Sequence, residues 1–289
     1  MTAGEARDLL GEVFGHADFR FGQREAVEAA CEGRDALIVL PTGSGKSICF
    51  QLPALLAQRR SLGTCVVISP LIALMRDQVT ALEARGLRAA ALHSHQEAAG
   101  QRETLAALRS GELALLYVSP ERAAQAGFRR ALQSCRVALL AVDEAHCVSQ
   151  WGHDFRPDYL RIHELRDLFD APCLALTATA TPQVMEEIAK LLALRDPQVV
   201  AGEFNRPNLS FAVRQPGQQG QRLAALEAEL VAAKLGRRGK GGRGIVYCST
   251  RKTAEAVSKS LRARGFAITH YHAGRTQLAR ERAQKAFES

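Results

Sequence analysis

Seven short runs between residues 36 and 201 are apolar at nearly every position rather than at every second one. They lie at 36–40, 64–69, 88–92, 114–118, 137–142, 173–177 and 198–201. Helical patterns surround them at 22–33, 46–58, 71–84, 96–110, 155–169 and 182–193. A half-exposed strand alternates apolar and polar side chains. A continuous apolar run fits a strand in a parallel sheet with helices on both faces. The alternation therefore predicts one open α/β domain wound with right-handed crossovers. Thr181 followed by Pro182 predicts a helix start, with Thr181 as N-cap.

The first run, Ala36-Leu37-Ile38-Val39-Leu40, passes directly into Pro41-Thr42-Gly43-Ser44-Gly45-Lys46-Ser47. Strand, glycine-bearing loop and a helix opening at Lys46 make a cradle for a phosphate chain. Backbone N–H groups of Thr42, Gly43, Ser44 and Gly45 can wrap it, and the helix N-terminus adds a positive dipole end. Lys46 can reach β- and γ-phosphate oxygens, and Ser47 can place its hydroxyl on Mg²⁺. The strict pattern G-x-x-x-x-G-K-[ST] is incomplete, since Leu40 stands at its first glycine. A plain glycine-rich turn fits the same residues. Lysine usage favours the phosphate reading: residues 1–202 hold 21 Lys+Arg, and only Lys46 and Lys190 are lysines. A compact ammonium stands where a point charge is needed.

At 289 residues the chain suits about two domains. The net charge of +8 is uneven: −3 over residues 1–202 and +11 over 203–289. The basic second part suits a polyanion partner, and equally a solvated basic surface. The seven cysteines stand singly, with no C-x-x-C pair. Neither a zinc site nor a disulfide framework is expected, and buried free thiols fit a reducing cytosol. No basic segment followed by an apolar core opens the chain, and no apolar run is long enough for a membrane span. Residues 214–243 break the α/β pattern. Pro216-Gly217-Gln218-Gln219-Gly220 reads as a linker, 221–235 as a helix, and 236–244 as a flexible basic loop. A second strand–helix–strand unit follows. Its strands are Ile245-Val246-Tyr247-Cys248 and Ala267-Ile268-Thr269-His270-Tyr271; its helices run from about 253 to 264, stopped by Gly265, and over 277–287.

A nucleotide site also needs carboxylates, and these come from the C-terminal edge of the same sheet. The run 137–142 ends in Asp143-Glu144-Ala145-His146. Asp143 can hold Mg²⁺ opposite Ser47, while Glu144 can orient and deprotonate an attacking water. His146 can relay the state of the γ-phosphate, or can simply cap a turn. Next come Trp151, Phe155, Arg156 and Tyr159 in a polar stretch of a chain that is only 6% aromatic. Trp151 and Phe155 can stack nucleobases, Arg156 can bind phosphate, and Tyr159 reads as a core anchor.

These residues together resemble a RecQ-family DNA helicase of superfamily 2. Ser149-Gln150-Trp151-Gly152-His153-Asp154-Phe155-Arg156-Pro157 is the most diagnostic segment. Phe19-Arg20-Phe21-Gly22-Gln23 is similar to the family's adenine-binding segment, with Phe21 where proline is usual. Segments 69–78 and 117–122 are similar to its first-lobe DNA-contact motifs, and Leu176-Thr177-Ala178-Thr179-Ala180-Thr181 to the segment that couples hydrolysis to movement. Phe204-Asn205-Arg206-Pro207-Asn208-Leu209 and Tyr271-His272-Ala273-Gly274 also match. The resemblance implies a RecA-like doubly wound lobe over 1–203, a connector over 204–243, and the start of a second such lobe over 244–289. It implies that Arg20 and Gln23 contact adenine, that Thr177 and Thr179 act with His146 in coupling, and that Arg76, Trp151, Phe155, Arg156, Arg251 and His272 touch DNA. It implies ATP and Mg²⁺ as cofactors and 3′→5′ movement along single-stranded DNA that separates forked duplexes. Repair and recombination factors, including single-strand-binding protein, would be partners in a bacterial cytosol.

The same resemblance places further second-lobe strands, a Gly-rich ATP-sensing motif and an arginine finger beyond Phe287. A finger is worth roughly 10³–10⁵ in rate. The expectation for these 289 residues is therefore ATP binding with slow hydrolysis, and a loosely ordered or edge-pairing segment at 244–289. Two other readings stay open: a superfamily-2 RNA helicase, and a non-enzymatic ATP- and DNA-binding fragment.

Overall fold

The computed structural model describes residues 3–94, 96–152, 154–202, 208–217, 219–235 and 242–288. Phe204 to Pro207 of the connector motif, His153, Gln218, residues 236–241 of the basic loop and the expected boundary at 203/204 lie outside the described residues. The chain divides into two compact units, Met1–Arg206 and Pro207–Ser289.

In the first unit, helices α1 (Ala3–Phe14) and α2 (Gln23–Cys31) precede strand β1 (Ala36–Val39). There follow α3 (Ile48–Arg59), β2 (Thr64–Ile68), α4 (Ile72–Glu83), β3 (Ala89–Leu92), α5 (Ala98–Arg109) and β4 (Leu115–Val118). Then come α6 (Pro120–Ala123), α7 (Ala126–Gln133), β5 (Val137–Val142), α8 (His163–Arg166), β6 (Cys173–Thr177), α9 (Pro182–Leu191) and β7 (Gln198–Ala201). All seven strands pair parallel in the order β3-β4-β2-β5-β6-β1-β7.

The continuous apolar runs are explained by burial on both faces. Ile38, Val67, Tyr117, Ala141 and Leu176 pack with α1 to α4 on one side. Their neighbours Leu37, Val66, Leu116, Leu140 and Ala175 pack with helices α5 to α9 on the other. Successive side chains of a strand point to opposite faces, so each run must be apolar throughout. Thr181 caps α9, its hydroxyl accepting from Val184 N at 3.3 Å.

The N-terminal edge of the sheet is tied by one buried carboxylate. Asp35 accepts from Cys173 N, Arg195 N and Arg166 Nη2, each at 2.7 Å. The Asp35 and Arg166 side chains are only 2% and 6% exposed. This cluster joins the starts of β1 and β6 to the turn before β7.

The helix expected over 155–169 is corrected. A 3₁₀ turn, Pro157–Arg161, and the short α8 stand there instead. Arg156 N is held to Cys147 O at 2.9 Å, and the fully buried Tyr159 donates its hydroxyl to Asp143 O at 2.9 Å. Those long-range ties, with Pro157, override the local helical pattern.

The second unit contains α10 (Gln219–Ala232), α11 (Arg251–Ala263) and α12 (Gln277–Glu288). Thr250 caps α11 by accepting from Thr253 N at 3.1 Å, and Gly265, at φ +87°, ends it. The strands expected at 245–248 and 267–271 do not form: no strand occurs among the described residues of this unit. Both segments lack a backbone ladder, and a strand is defined by its partner's N–H and C=O groups. They border a cavity of about 640 Å³ together with α11 and α12.

Candidate active site

The strand order places β6 between β1 and β5, so the loops after all three open at the same sheet edge. That edge is where open α/β sheets bind ligands. The loop after β1 turns through Gly43 at φ +82° and Gly45 at φ +80°. A Cβ on Gly45 would lie 2.6 Å from Gln23 Nε2. Lys46 Nζ donates to Leu40 O at 2.9 Å and to Pro41 O at 3.3 Å. Helix α3 begins two residues after Lys46, at Ile48, although Cys49 N and Gln51 N already bond back to Lys46 O and Ser47 O.

The 20–23 segment grips this loop from beneath. Gln23 is buried and donates Nε2 to Ser44 O at 2.9 Å and to Gly45 O at 3.0 Å. Its Oε1 accepts from Arg20 N at 2.9 Å, and Arg20 Nη1 donates to Gly43 O at 3.0 Å. Arg20, Phe21, Leu40, Thr42 and Gly202 border an adjoining cavity of about 680 Å³. Phe21 is exposed there.

At the end of β5, Asp143 N donates to Ile68 O at 2.9 Å, and Asp143 Oδ1 accepts from Glu144 N at 3.0 Å. Desolvation, joined by the neighbouring Glu144 carboxylate, pushes the Asp143 carboxyl up to about 6; Lys46 pulls the other way. Glu144 adopts φ +48°, a left-handed conformation uncommon for a residue other than glycine. Its Oε2 lies 3.3 Å from His146 Nδ1, which lies 2.9 Å from Thr177 Oγ1. The Thr177 hydroxyl donates to Thr179 O at 3.0 Å, so the hydrogen between His146 and Thr177 belongs to Nδ1. His146 and Thr177 are buried, and Thr179 is exposed.

The residues fit a magnesium-bound triphosphate. Ser44 Oγ is buried at the loop without a hydrogen-bond partner, and Asp143 is held in a place that penalises its negative charge. Both observations suit a site completed by polar and cationic atoms. Ser47 and Asp143 are oxygen donors that could hold the metal.

The aromatic loop stands beside the relay. Trp151 is 71% exposed, while its N–H is held by Ser149 Oγ at 3.1 Å. Ser149 in turn donates to Glu187 of α9 at 2.6 Å. A Cβ on Gly152 would meet His146 O at 2.4 Å, so the loop lies against the backbone that carries the relay. His146, Trp151, Thr179 and Thr181 share a cavity of about 380 Å³. Arg156 pairs with Asp154 at 2.9 Å and approaches Pro70 O at 3.5 Å. Phe155 is half-buried, and Arg76 is exposed on α4. Arg251 and His272 belong to the second unit, where a Cβ on Gly274 would touch both.

One residue at this edge, Gln51, escaped the motif reading, although both its partners lie in the segments 69–78 and 117–122. Gln51 of α3 donates Nε2 to Gln78 Oε1 of α4 at 2.7 Å and to Tyr117 Oη of β4 at 3.2 Å. The available signal was one polar side chain in a helix whose residues from Ile48 to Ala57 are otherwise buried and apolar.

A family model described as "DEAD/DEAH box helicase" matches residues 20–188. The chain belongs to that family. Within it the sequence is similar to RecQ helicases. It is 42% identical over 284 residues to "ATP-dependent DNA helicase RecQ" of Pasteurella multocida, covering 98% of this chain and 43% of that protein. It is also 42% identical to the RecQ helicase of Bacillus subtilis, covering 98% of this chain and 46% of that one. The chain thus spans less than half the length of these relatives. Among solved structures, Mycobacterium smegmatis helicase Lhr bound to ssDNA and AMP-PNP has a TM-score of 0.63 at 21% identity, over 94% of this chain and 38% of that one. Helicase MrfA has 0.68 at 17% identity, over 90% and 40%. These likenesses show the shared α/β RecA-like fold. No helix among the described residues is long and apolar enough to cross a membrane.

Proposed function

We propose that this chain is the ATP-binding part of a RecQ-type helicase that moves 3′→5′ along single-stranded DNA and opens forked duplexes during repair and recombination. The observation that carries the reading is the path of close polar contacts Glu144–His146–Thr177–Thr179. It joins the carboxylate next to the phosphate loop to the segment that leads into α9. Lys46 leaves the carbonyls of Leu40 and Pro41 for the β- and γ-phosphate oxygens, and the loop N–H groups take the remaining phosphate contacts. Ser47 and Asp143 would hold Mg²⁺, which would supply charge neutralisation at the phosphates. Glu144 accepts a proton from the attacking water, and its contact with His146 Nδ1 then changes. His146 passes that change to Thr177 and to the Ser149–Trp151 loop packed on its backbone. Trp151 offers an exposed ring on which a nucleobase can stack, which favours DNA contact at this loop. Arg20 and Phe21 border the cavity that would take the adenine.

The reading is tested by phosphate release with single-stranded DNA or RNA added. DNA is expected to stimulate release more than RNA, and Thr177→Val to reduce DNA stimulation about tenfold while ATP affinity holds. Equal stimulation by RNA, or unchanged stimulation in the variant, overturns it.

A further inference from the structure

Among the described residues, one cluster of metal-ligating side chains is unconnected with the phosphate loop: Glu255, His270 and His272 of the second unit. Local structure brings them together. His270 and His272 are two residues apart in a segment that is neither helix nor strand, and their rings lie side by side. Glu255 lies in the second turn of α11, whose start Thr250 caps. His272 Nε2 meets Glu255 Oε1 at 3.0 Å. That contact puts Nε2 of His272 on the side of the ring that faces Glu255. The Nδ1 atoms of both histidines are buried without a hydrogen-bond partner. Two such orphans on neighbouring, nearly parallel rings, 5.5 Å apart at 15°, need an explanation.

We propose that Glu255, His270 and His272 form a site for a divalent transition-metal cation of the zinc type. One donor atom from each side chain lies within 4.8 Å of the others. Donors about 2.0–2.2 Å from one shared ion lie roughly 3.5 Å apart, so closure takes about an ångström of side-chain movement. The surroundings select the metal. Arg275 donates to His270 O, and Arg251 stands near His272 Nδ1. A hard cation such as Mg²⁺, which depends on several charged oxygens, is disfavoured there. Imidazole nitrogens suit Zn²⁺, Co²⁺ and Ni²⁺. The ion would clip this segment to α11. This site does not depend on the helicase reading of the first unit.

The test is a Co²⁺ titration of the 289-residue chain followed by visible absorption. Ligand-field bands without thiolate-to-cobalt charge transfer, displaced by Zn²⁺ and untouched by excess Mg²⁺, are expected. The seven cysteines are thereby separated from the site. Glu255→Gln and His270→Asn are each expected to weaken Co²⁺ about tenfold or more, with the helical circular dichroism unchanged. His270→Asn keeps a polar group of similar size, so loss of fold does not imitate loss of site. Absent bands, bands carrying thiolate charge transfer, or unchanged affinity in both variants overturns the proposal.

Discussion

The two units read alike in sequence and fold differently. Each shows apolar runs alternating with helical patterns. In Met1–Arg206 seven of the runs became strands of one parallel sheet. In Pro207–Ser289 the two runs stayed extended without a ladder, while its three helices formed. A helix satisfies its backbone within itself, so a local pattern suffices. A strand borrows its hydrogen bonds from a neighbour, so the same kind of run is a strand only where a neighbour exists.

Hydrogen exchange is the sharpest way to break this contrast. Amides of Leu139 to Val142 in β5 are expected to exchange about 10⁴-fold more slowly than those of Val246 to Cys248. Strong protection at 246–248 in the monomer would erase the difference between the units.

The next effect concerns what holds the first sheet together. Asp35→Ala leaves Arg166 buried without its carboxylate and should destabilise that unit by about 3–5 kcal/mol. Trp151 is the single tryptophan, so its fluorescence during denaturation reports the first unit alone. A loss below about 1 kcal/mol would mean that the strand starts do not depend on this carboxylate.

Lys46→Ala should weaken binding of a fluorescent ATP analogue about 10–100-fold, since a charged donor to phosphate is removed. The Co²⁺ affinity of the second unit should not move. Unchanged nucleotide binding would detach the phosphate loop from its assigned role.

The smallest effect is a gain. The unfolded chain loses the Asp143 proton near the ordinary value of 3.8, and the folded chain near 6. The folded state therefore binds more protons between those values, and stability falls as pH rises through them. Above pH 6 the cost is constant. Asp143→Asn should remove it, stabilising the first unit by roughly 1–3 kcal/mol at pH 7.5 while Mg²⁺-dependent hydrolysis is lost. Wild-type hydrolysis should decline as pH drops through about 6. An asparagine variant no more stable than wild type would remove the strain argument at this strand end.

Much of the first unit was legible because its signals are local. Each of the seven strands lies within a continuous run, and Thr181 caps the helix assigned to it. Helix α1 was not expected, although Ala6, Leu9, Leu10 and Val13 carry its spacing. At the candidate site, the positions of Lys46, Asp143 and Glu144 relative to strand ends followed from the motifs. The hydrogen bonds of Gln23 to the loop carbonyls, of Tyr159 to Asp143 O, and of Gln51 to Gln78 did not. They join residues 16 to 27 positions apart, and no period or spacing encodes such a partner.

The chain's own residues determined the alternation of elements, the two-sided burial of the first sheet and the chemistry at its strand ends, because periodicity and loop composition act over a few residues. Tertiary structure alone decided the order β3-β4-β2-β5-β6-β1-β7. That order sets β6 between β1 and β5 and so puts Thr177 within reach of His146. It decided as well that 245–248 and 267–271 remain unpaired, since a sheet is a property of neighbours that only the folded chain supplies.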